Sequence, residues 1–417
     1  MTPATKHRLR VFALGSVTML VVATAAYAQQ DTNAAATPQA GARDAVVAPG
    51  AAAERNSEQT FVHTVREWAK NTQIIERLEG NVDGWYPRLG GMTRGSGFAV
   101  GPGYRTHVFG DQVRLDVSAA LSTRLYRTVD VRARWLQVWH ERAEVWTDYR
   151  YENYPQENFY GVGNNTTPDM RTSYTLSGSD VALRGQVKPT AWLRLGAKLG
   201  YMTPHIGRGQ NPEFLSTEEV FTDASVPGLA EQPDFVHGEL SAEIDKRDVP
   251  GNPTSGFLYR ATYAAWNDRT LDAYNFQRFD SLGAAYHPLT TDRKHLISGR
   301  AGVAFVNNAL GDRVPFYALP YVGGQDTIRS FREFRFKDEN AFWFGTEYRW
   351  VPIPWVSAAL FADFGQVAHD WQKIASDLKH GFGFGIRAHS RKQTFAQLDF
   401  GFGSGEGWRT ALKVGLF

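Results

Sequence analysis

From Gly95 to the C-terminus, apolar and polar residues alternate with a period of two. Val113, Leu115, Val117, Ala119 and Leu121 share one face of an extended segment, and Arg114, Asp116, Ser118 and Ser122 share the other. Val129, Val131, Ala133 and Trp135 repeat the scheme against Asp130, Arg132 and Arg134, and Leu193, Leu195, Ala197, Leu199 and Tyr201 repeat it against Arg194 and Lys198. Side chains of a strand point alternately to its two faces, so each segment predicts a strand with one apolar and one charged side. Each runs to about ten residues, the length a tilted strand needs to cross a bilayer. Strands of soluble sheets are commonly about five or six residues long.

Further segments of this kind fall near 95–105, 142–154, 172–187, 234–246, 256–267, 275–287, 294–306, 340–351, 355–366, 381–389, 393–403 and 407–417, which with the three above makes fifteen. Single-chain bacterial barrels have even strand numbers, so a sixteenth is expected within 84–92 or in the long 142–187 region. The predicted fold is all-β: a transmembrane antiparallel β-barrel of about 16 strands, apolar outside and charged within. Lipid cannot satisfy open strand edges, so the sheet should close on itself. The long connections 204–233 and 307–339 should face the exterior and the short turns the periplasm. Trp135, Trp139, Trp146, Tyr149, Tyr151 and Tyr154 bunch near predicted strand ends, as residues of an interfacial girdle would.

The first part of the chain follows other rules. Residues 1–28 read as a secretory signal peptide, with a basic stretch at Lys6, Arg8 and Arg10, an apolar run from Val11 to Ala26, and the small-x-small site Ala26-Tyr27-Ala28. Residues 29–56, rich in Ala, Thr, Gln, Gly and Pro, predict a disordered linker. A short amphipathic helix is expected within 57–83: Phe61, Val65, Trp68 and Ala69 share a face, continued by Ile75 and Leu78. It would sit at the periplasmic mouth, in the lumen, against the membrane surface, or packed on its own barrel.

Composition narrows the choice of partner. The chain carries 45 basic and 43 acidic residues, a net charge of +2, which gives no basis for binding nucleic acid. It has no cysteine, which suits passage through an oxidising periplasm. Aromatic residues make up 13% and glycines number 40 in 417 residues, while mean hydropathy is −0.38; a barrel with lipid on one face and water on the other accounts for both.

Catalytic and metal-binding patterns are not evident. No G-x-S-x-G elbow and no H-E-x-x-H occurs, and His140, His237, His287, His295, His380 and His389 are scattered, so neither an enzyme nor a metal or cofactor site is expected. The acidic run Glu141, Glu144, Asp148 and Glu152 reads as a solvated rim.

Three motifs stand in order near the C-terminus: Gly323-Gly324-Gln325-Asp326-Thr327-Ile328-Arg329-Ser330-Phe331, then Gly345-Thr346-Glu347-Tyr348-Arg349, then Phe361-Ala362-Asp363-Phe364-Gly365. Period two puts Phe344, Tyr348 and Trp350 on one face and Glu347 and Arg349 on the other. It likewise puts Val356, Ala358, Leu360 and Ala362 outward and Asp363 inward. Two looser motifs are Asp245-Lys246-Arg247-Asp248-Val249-Pro250 with Pro253 and Gly256, and Gly383-Phe384-Gly385-Ile386-Arg387.

Together these motifs resemble the bacterial surface antigen superfamily of outer-membrane barrels, which includes BamA-like assembly factors, TamA-like proteins and two-partner secretion transporters. The likeness runs from about Gly84 to Phe417. It implies that the first motif is a re-entrant loop folded into the lumen, with Gly323, Gly324, Ile328 and Phe331 shaping it around Arg329. It also implies that Arg329 pairs with acidic residues on the following strands, so that Glu347, Arg349 and Asp363 form the lumen ion-pair set. Guanidinium and carboxylate match as bidentate partners, and a confined lumen screens them less than bulk water does.

The chain departs from the family at three points. Ser330 stands where the family usually has Gly, which predicts a different backbone path at the loop tip. Residues 29–83 are too few for a POTRA-type module, so the chain resembles the short members of the superfamily. Phe417 is the kind of terminal residue that assembly machinery recognises, yet Trp408, Thr410, Leu412, Val414 and Leu416 alternate out of phase with it.

Three functions fit this reading. The resemblance implies assembly of outer-membrane proteins or translocation of a polypeptide client, in contact with outer-membrane lipid, lipopolysaccharide and the outer-membrane assembly machinery. A charged lumen would also suit a passive solute pore, and its early basic cluster would favour anions. Long exterior loops would suit an anchor or docking surface.

Overall fold

The structure, a computed structural model, describes residues 82–414 apart from 91, 94, 139–141 and 309–310. The expected signal peptide, linker and nearly all of the expected helix lie outside the described residues. The strands are β1 (Gly84–Gly90), β2 (Ala99–Val108), β3 (Val113–Ser122), β4 (Arg127–Val138), β5 (Ala143–Phe159), β6 (Thr172–Thr190), β7 (Leu193–Arg208), β8 (Phe235–Asp245) and β9 (Gly256–Asp268). They continue as β10 (Phe276–Pro288), β11 (His295–Asn308), β12 (Tyr321–Val322), β13 (Phe336–Lys337), β14 (Asn340–Ile353), β15 (Val356–Ala368), β16 (Lys379–His389), β17 (Thr394–Gly403) and β18 (Gly407–Val414). β12 and β13 form a two-stranded ladder of their own inside one connection, and the other strands make a 16-stranded sheet in chain order. All pairings between neighbours are antiparallel, from Gly84↔Arg105 at one edge to Gly403↔Gly407 at the other. β1 supplies the sixteenth strand, within the first of the two places expected.

Alternation decides what each face meets. Leu199, Leu240 and Leu360 are 61%, 64% and 60% exposed and belong to an apolar outer surface. The inner surface is laced by cross-strand ion pairs. Register sets Asp130 opposite Arg150 and Arg132 opposite Asp148, and both pairs close at 2.6 Å. Arg88 also reaches Asp130, Arg184 reaches Asp148, and Arg194 and Arg260 share Glu243.

Two local expectations are corrected. Asp148 belongs to this inner wall and not to a solvated rim, since it pairs with Arg132 and Arg184; Glu144, at the start of β5, bonds Lys188 on the neighbouring strand at 2.5 Å and stays partly exposed. Trp146 and Tyr154 also point inward: Trp146 donates to Asp148, and Tyr154 is buried against Tyr126. They share the even-numbered face of β5 with Asp148, so closeness in sequence did not mean closeness on one face. Trp135, Tyr149 and Tyr151 are exposed outside, and Trp139 lies outside the described residues.

Strands that alternate in direction place the connections 160–171, 209–234, 269–275, 309–339 and 369–378 at one end of the sheet. There Phe159 and Tyr174 pack against Phe316 at 5.0 and 4.9 Å between ring centres. Val226, Leu229, Tyr274, Val314 and Leu319 join the same buried cluster. The two longest connections thus meet as an apolar lid over that rim.

The expected closure is not found among the described residues: β1 pairs with β2 only and β18 with β17 only. These are the two shortest strands of the sheet, 7 and 8 residues, and β1 carries Pro87, which has no N–H to give to a ladder. Short edges and a missing donor leave little to hold a seam.

The outward face of Leu240 generates a test. Leu240→Arg near the middle of β8 should lower stability by about 2–4 kcal/mol, the usual cost of a cation at a bilayer midplane. Equilibrium denaturant unfolding in lipid vesicles measures it; unchanged stability would place Leu240 away from lipid.

Candidate functional site

The connection between β11 and β14 folds back into the interior. The β12–β13 ladder closes its neck through Tyr321↔Lys337 and Val322↔Phe336. Val322, Ile328, Phe331 and Phe336 then pack with Ala341 and Val367 of the wall as a second apolar core. Gly323 and Gly324 turn the chain at φ +112° and +105°, a region glycine enters without steric cost. A side chain at Gly324 would also strike the Glu333 carboxylate. Thr327 Oγ1 accepts from Gly323 N at 2.8 Å, and Ile328 O accepts from Gly324 N at 3.1 Å.

This fold aims Arg329 at two wall strands. Its Nε and Nη2 donate to the two Asp363 oxygens at 2.8 and 3.0 Å, and its backbone N donates to Asp363 Oδ2 at 3.0 Å. Its Nη1 donates to Glu347 Oε2 at 2.5 Å. The guanidinium lies over the Phe361 ring, 3.7 Å from its centre. Burial disfavours its charge, and Asp363 and Glu347 more than offset that, so its pKa stands above the ordinary arginine value.

Residues beyond the three motifs complete the network. Arg300 of β11 donates to Asp363 Oδ1 at 3.2 Å and to the loop carbonyls of Gln325 and Thr327. Arg387 of β16 donates to Glu347 Oε2 at 2.8 Å and lies 3.5 Å from Asp399 Oδ1. Both buried aspartates face a glycine in register, Gly345↔Asp363 and Gly385↔Asp399. A Cβ on either glycine would overlap the carboxylate it faces. Arg387 ends the looser glycine-rich motif of the sequence, but nothing in the chain announced Arg387, Arg300 or Asp399 as partners.

Arg349, expected in the ion-pair set, takes neutral acceptors. It donates to Asn252 Oδ1 at 3.1 Å and to Pro253 O. It lies one inward position below Glu347, nearer the end of β14, and acts on the Glu347 carboxylate through its charge without a direct ion pair.

Ser330 shapes the loop tip. It is buried and rests on a furrow of glycines on β16 and β17. A Cβ at Gly381 would overlap Ser330 Oγ, and one at Gly401 would lie 2.7 Å from Ser330 Cα. Past the tip, Arg335 bonds Glu406 and Thr166, and Arg409 of β18 donates to Phe331 O. The loop is therefore fastened to the last five strands of the sheet. Among the described residues no cluster of His, Asp or Glu has the geometry of a metal site.

A 16-stranded barrel with a lumen loop pinned by an arginine is a distinctive class of architecture. The chain belongs to the Omp85 superfamily: the profile of the Omp85 superfamily domain matches residues 107–412. Among solved structures it is similar to BamA from Haemophilus ducreyi lacking POTRA domains 1–3, at a TM-score of 0.58 and 14% identity over 80% of this chain and 70% of that one. It is also similar to CdiB from Escherichia coli, at a TM-score of 0.50 and 11% identity over 78% of this chain and 61% of that one. CdiB from Acinetobacter baumannii matches at a TM-score of 0.47 and 15% identity over 80% of this chain and 59% of that one. These likenesses concern the fold.

Removing one member of a buried ion set strands its partner's charge, at a typical cost of about 3–5 kcal/mol. Asp363→Ala should therefore release the loop while the barrel stays folded. Trypsin should then cut after Arg329, which with Ser330 is buried in the wild-type chain; equal protection in both would contradict the anchoring.

Proposed function

We propose that this barrel acts in the outer membrane of a Gram-negative cell, exported by its signal peptide, and assists the insertion or translocation of a polypeptide client. The seam carries this reading. β1 and β18 each leave one edge without a ladder partner among the described residues, and an exposed edge is a template on which an incoming strand can add main-chain hydrogen bonds. The fastening of the loop to β14–β18 supports it further, because that side of the seam is braced from within while β1–β4 are tied by ion pairs to one another and to β5. The apolar lid fits a barrel that does not serve as an open channel. Lipid and lipopolysaccharide would contact the outer face, and the assembly machinery would insert the chain itself.

One observation favours a second reading, a small-solute path. A cavity of about 490 Å³ beside β1–β6 is lined by seven arginines and four aspartates. The surplus of positive charge would favour small anions if the lid opened.

Deleting the gene should lower the abundance of other outer-membrane β-barrels or of a surface-exported polypeptide, read by quantitative proteomics of outer-membrane fractions. In planar bilayers the purified protein should conduct little, and Arg329→Ala should raise the conductance severalfold. An unchanged proteome together with large, anion-selective wild-type conductance would overturn assembly in favour of the pore.

A further inference from the structure

The turn between β8 and β9, residues 246–255, takes no part in the loop network above. It is nevertheless densely hydrogen-bonded. Asp245 receives Arg247 through Nε and Nη2, each at 2.8 Å. Asp248 accepts the backbone N–H groups of Val249, Thr254 and Ser255 at 2.9, 2.9 and 3.1 Å and the Thr254 hydroxyl at 2.5 Å. Gly256 closes the turn at φ +93°, where a Cβ would overlap Lys246 O. The pattern D-x-R-D-x-P…P…G is thus the specification of a rigid turn, and its tip is Gly251-Asn252-Pro253.

That tip is bonded to strands far away in the sheet. Gly251 bridges Gln393, and its carbonyl accepts Thr394 N at 3.1 Å. Asn252 Nδ2 donates to Ser390 O at 2.9 Å and lies 3.2 Å from His389 Nδ1, while its Oδ1 accepts from Arg349. Pro253 O accepts a second bond from Arg349. Asn252, Arg349 and His389 are all buried. β17 lies six places from β9 in a sheet of sixteen strands, so these bonds cross the interior and do not run along the wall. They sit at the end opposite the apolar lid.

The clasp and the loop use the same two strands. On β14, Glu347 and Arg349 are successive inward residues, and on β16 Arg387 and His389 are. The upper pair meets at the Glu347 carboxylate, which accepts from Arg387 and from Arg329 of the loop. The lower pair, Arg349 and His389, holds Asn252. Movement of β14 against β16 would strain both grips together.

We propose that the turn 246–255 is a clasp across the floor of the barrel, coupled through β14 and β16 to the lumen loop, so that releasing either one loosens the other. Such coupling is reciprocal by thermodynamic necessity. It gives a partner that pulls on the turn from its side a means of unseating the loop without touching it, whatever passes through the barrel.

Hydrogen–deuterium exchange of the full chain in lipid nanodiscs tests the proposal without reference to activity. Asn252→Ala removes the side chain that both lower residues grip. Amides of 248–255 and of 323–331 should then both exchange at least tenfold faster, and Arg329→Gln should speed exchange in 248–255 in return. A freed turn beside an unchanged loop would overturn the coupling, and an unchanged turn would overturn the clasp. Should Asn252→Ala not refold, Gly251→Cys with Gln393→Cys in this cysteine-free chain replaces it. Oxidation should form the disulfide and slow exchange in the loop; failure of either step would overturn the proposal.

Discussion

The structure depends on neutralising one guanidinium inside a barrel whose wall leaves little water around it. Arg329 cannot stay charged there unless its donors meet acceptors, and Asp363 and Glu347 supply them from adjacent strands. That requirement fixes the loop, the loop fixes which strands are braced, and the glycines opposite Asp363 and Asp399 follow because the carboxylates need the space a Cβ would fill. A buried ion set of this kind adds little net stability over an apolar core, but it penalises heavily every arrangement in which one partner is missing. Its value here lies in specifying one seat for a long connection.

The two halves of the sheet are consequently unequal. β8–β18 surround an interior occupied by the loop and crossed by the 246–255 turn, with an apolar lid above. β1–β6 border a charged cavity whose ion pairs run mostly between neighbouring strands. The seam joins the first half to the second and carries the shortest strands, so the sheet is weakest where its most braced and least braced parts meet. An edge in that position suits a barrel that exchanges strands with another polypeptide better than one built only to enclose water.

Most of the sheet was legible in the sequence because period two is a strong signal when repeated over ten residues. It gave the inward facing of Glu347 and Asp363 and left only the short β1, interrupted by Pro87, without a firm place. The girdle aromatics misled because they were grouped by proximity along the chain, while Trp146 and Tyr154 obey the same parity as Asp148. Arg349 shares a motif and a parity with Glu347, but sequence says nothing about how far the loop descends. Arg300, Asp399, the glycine furrow beneath Ser330 and the reach of Asn252 depend on contacts between strands far apart in the chain, which no local pattern encodes. The lack of β1–β18 pairing among the described residues was not legible either: a general rule about lipid and strand edges says nothing about how short the two edge strands are.

The most direct measurement of the central claim is a double-mutant cycle between Arg329 and Asp363, read as unfolding free energy in lipid vesicles for Arg329→Gln, Asp363→Asn and the pair. A buried, bidentate partnership predicts strong coupling, with the double variant losing far less than the sum of the two single losses, by about 2 kcal/mol or more. Additive losses would contradict it and would mean that the loop is seated by its apolar core alone.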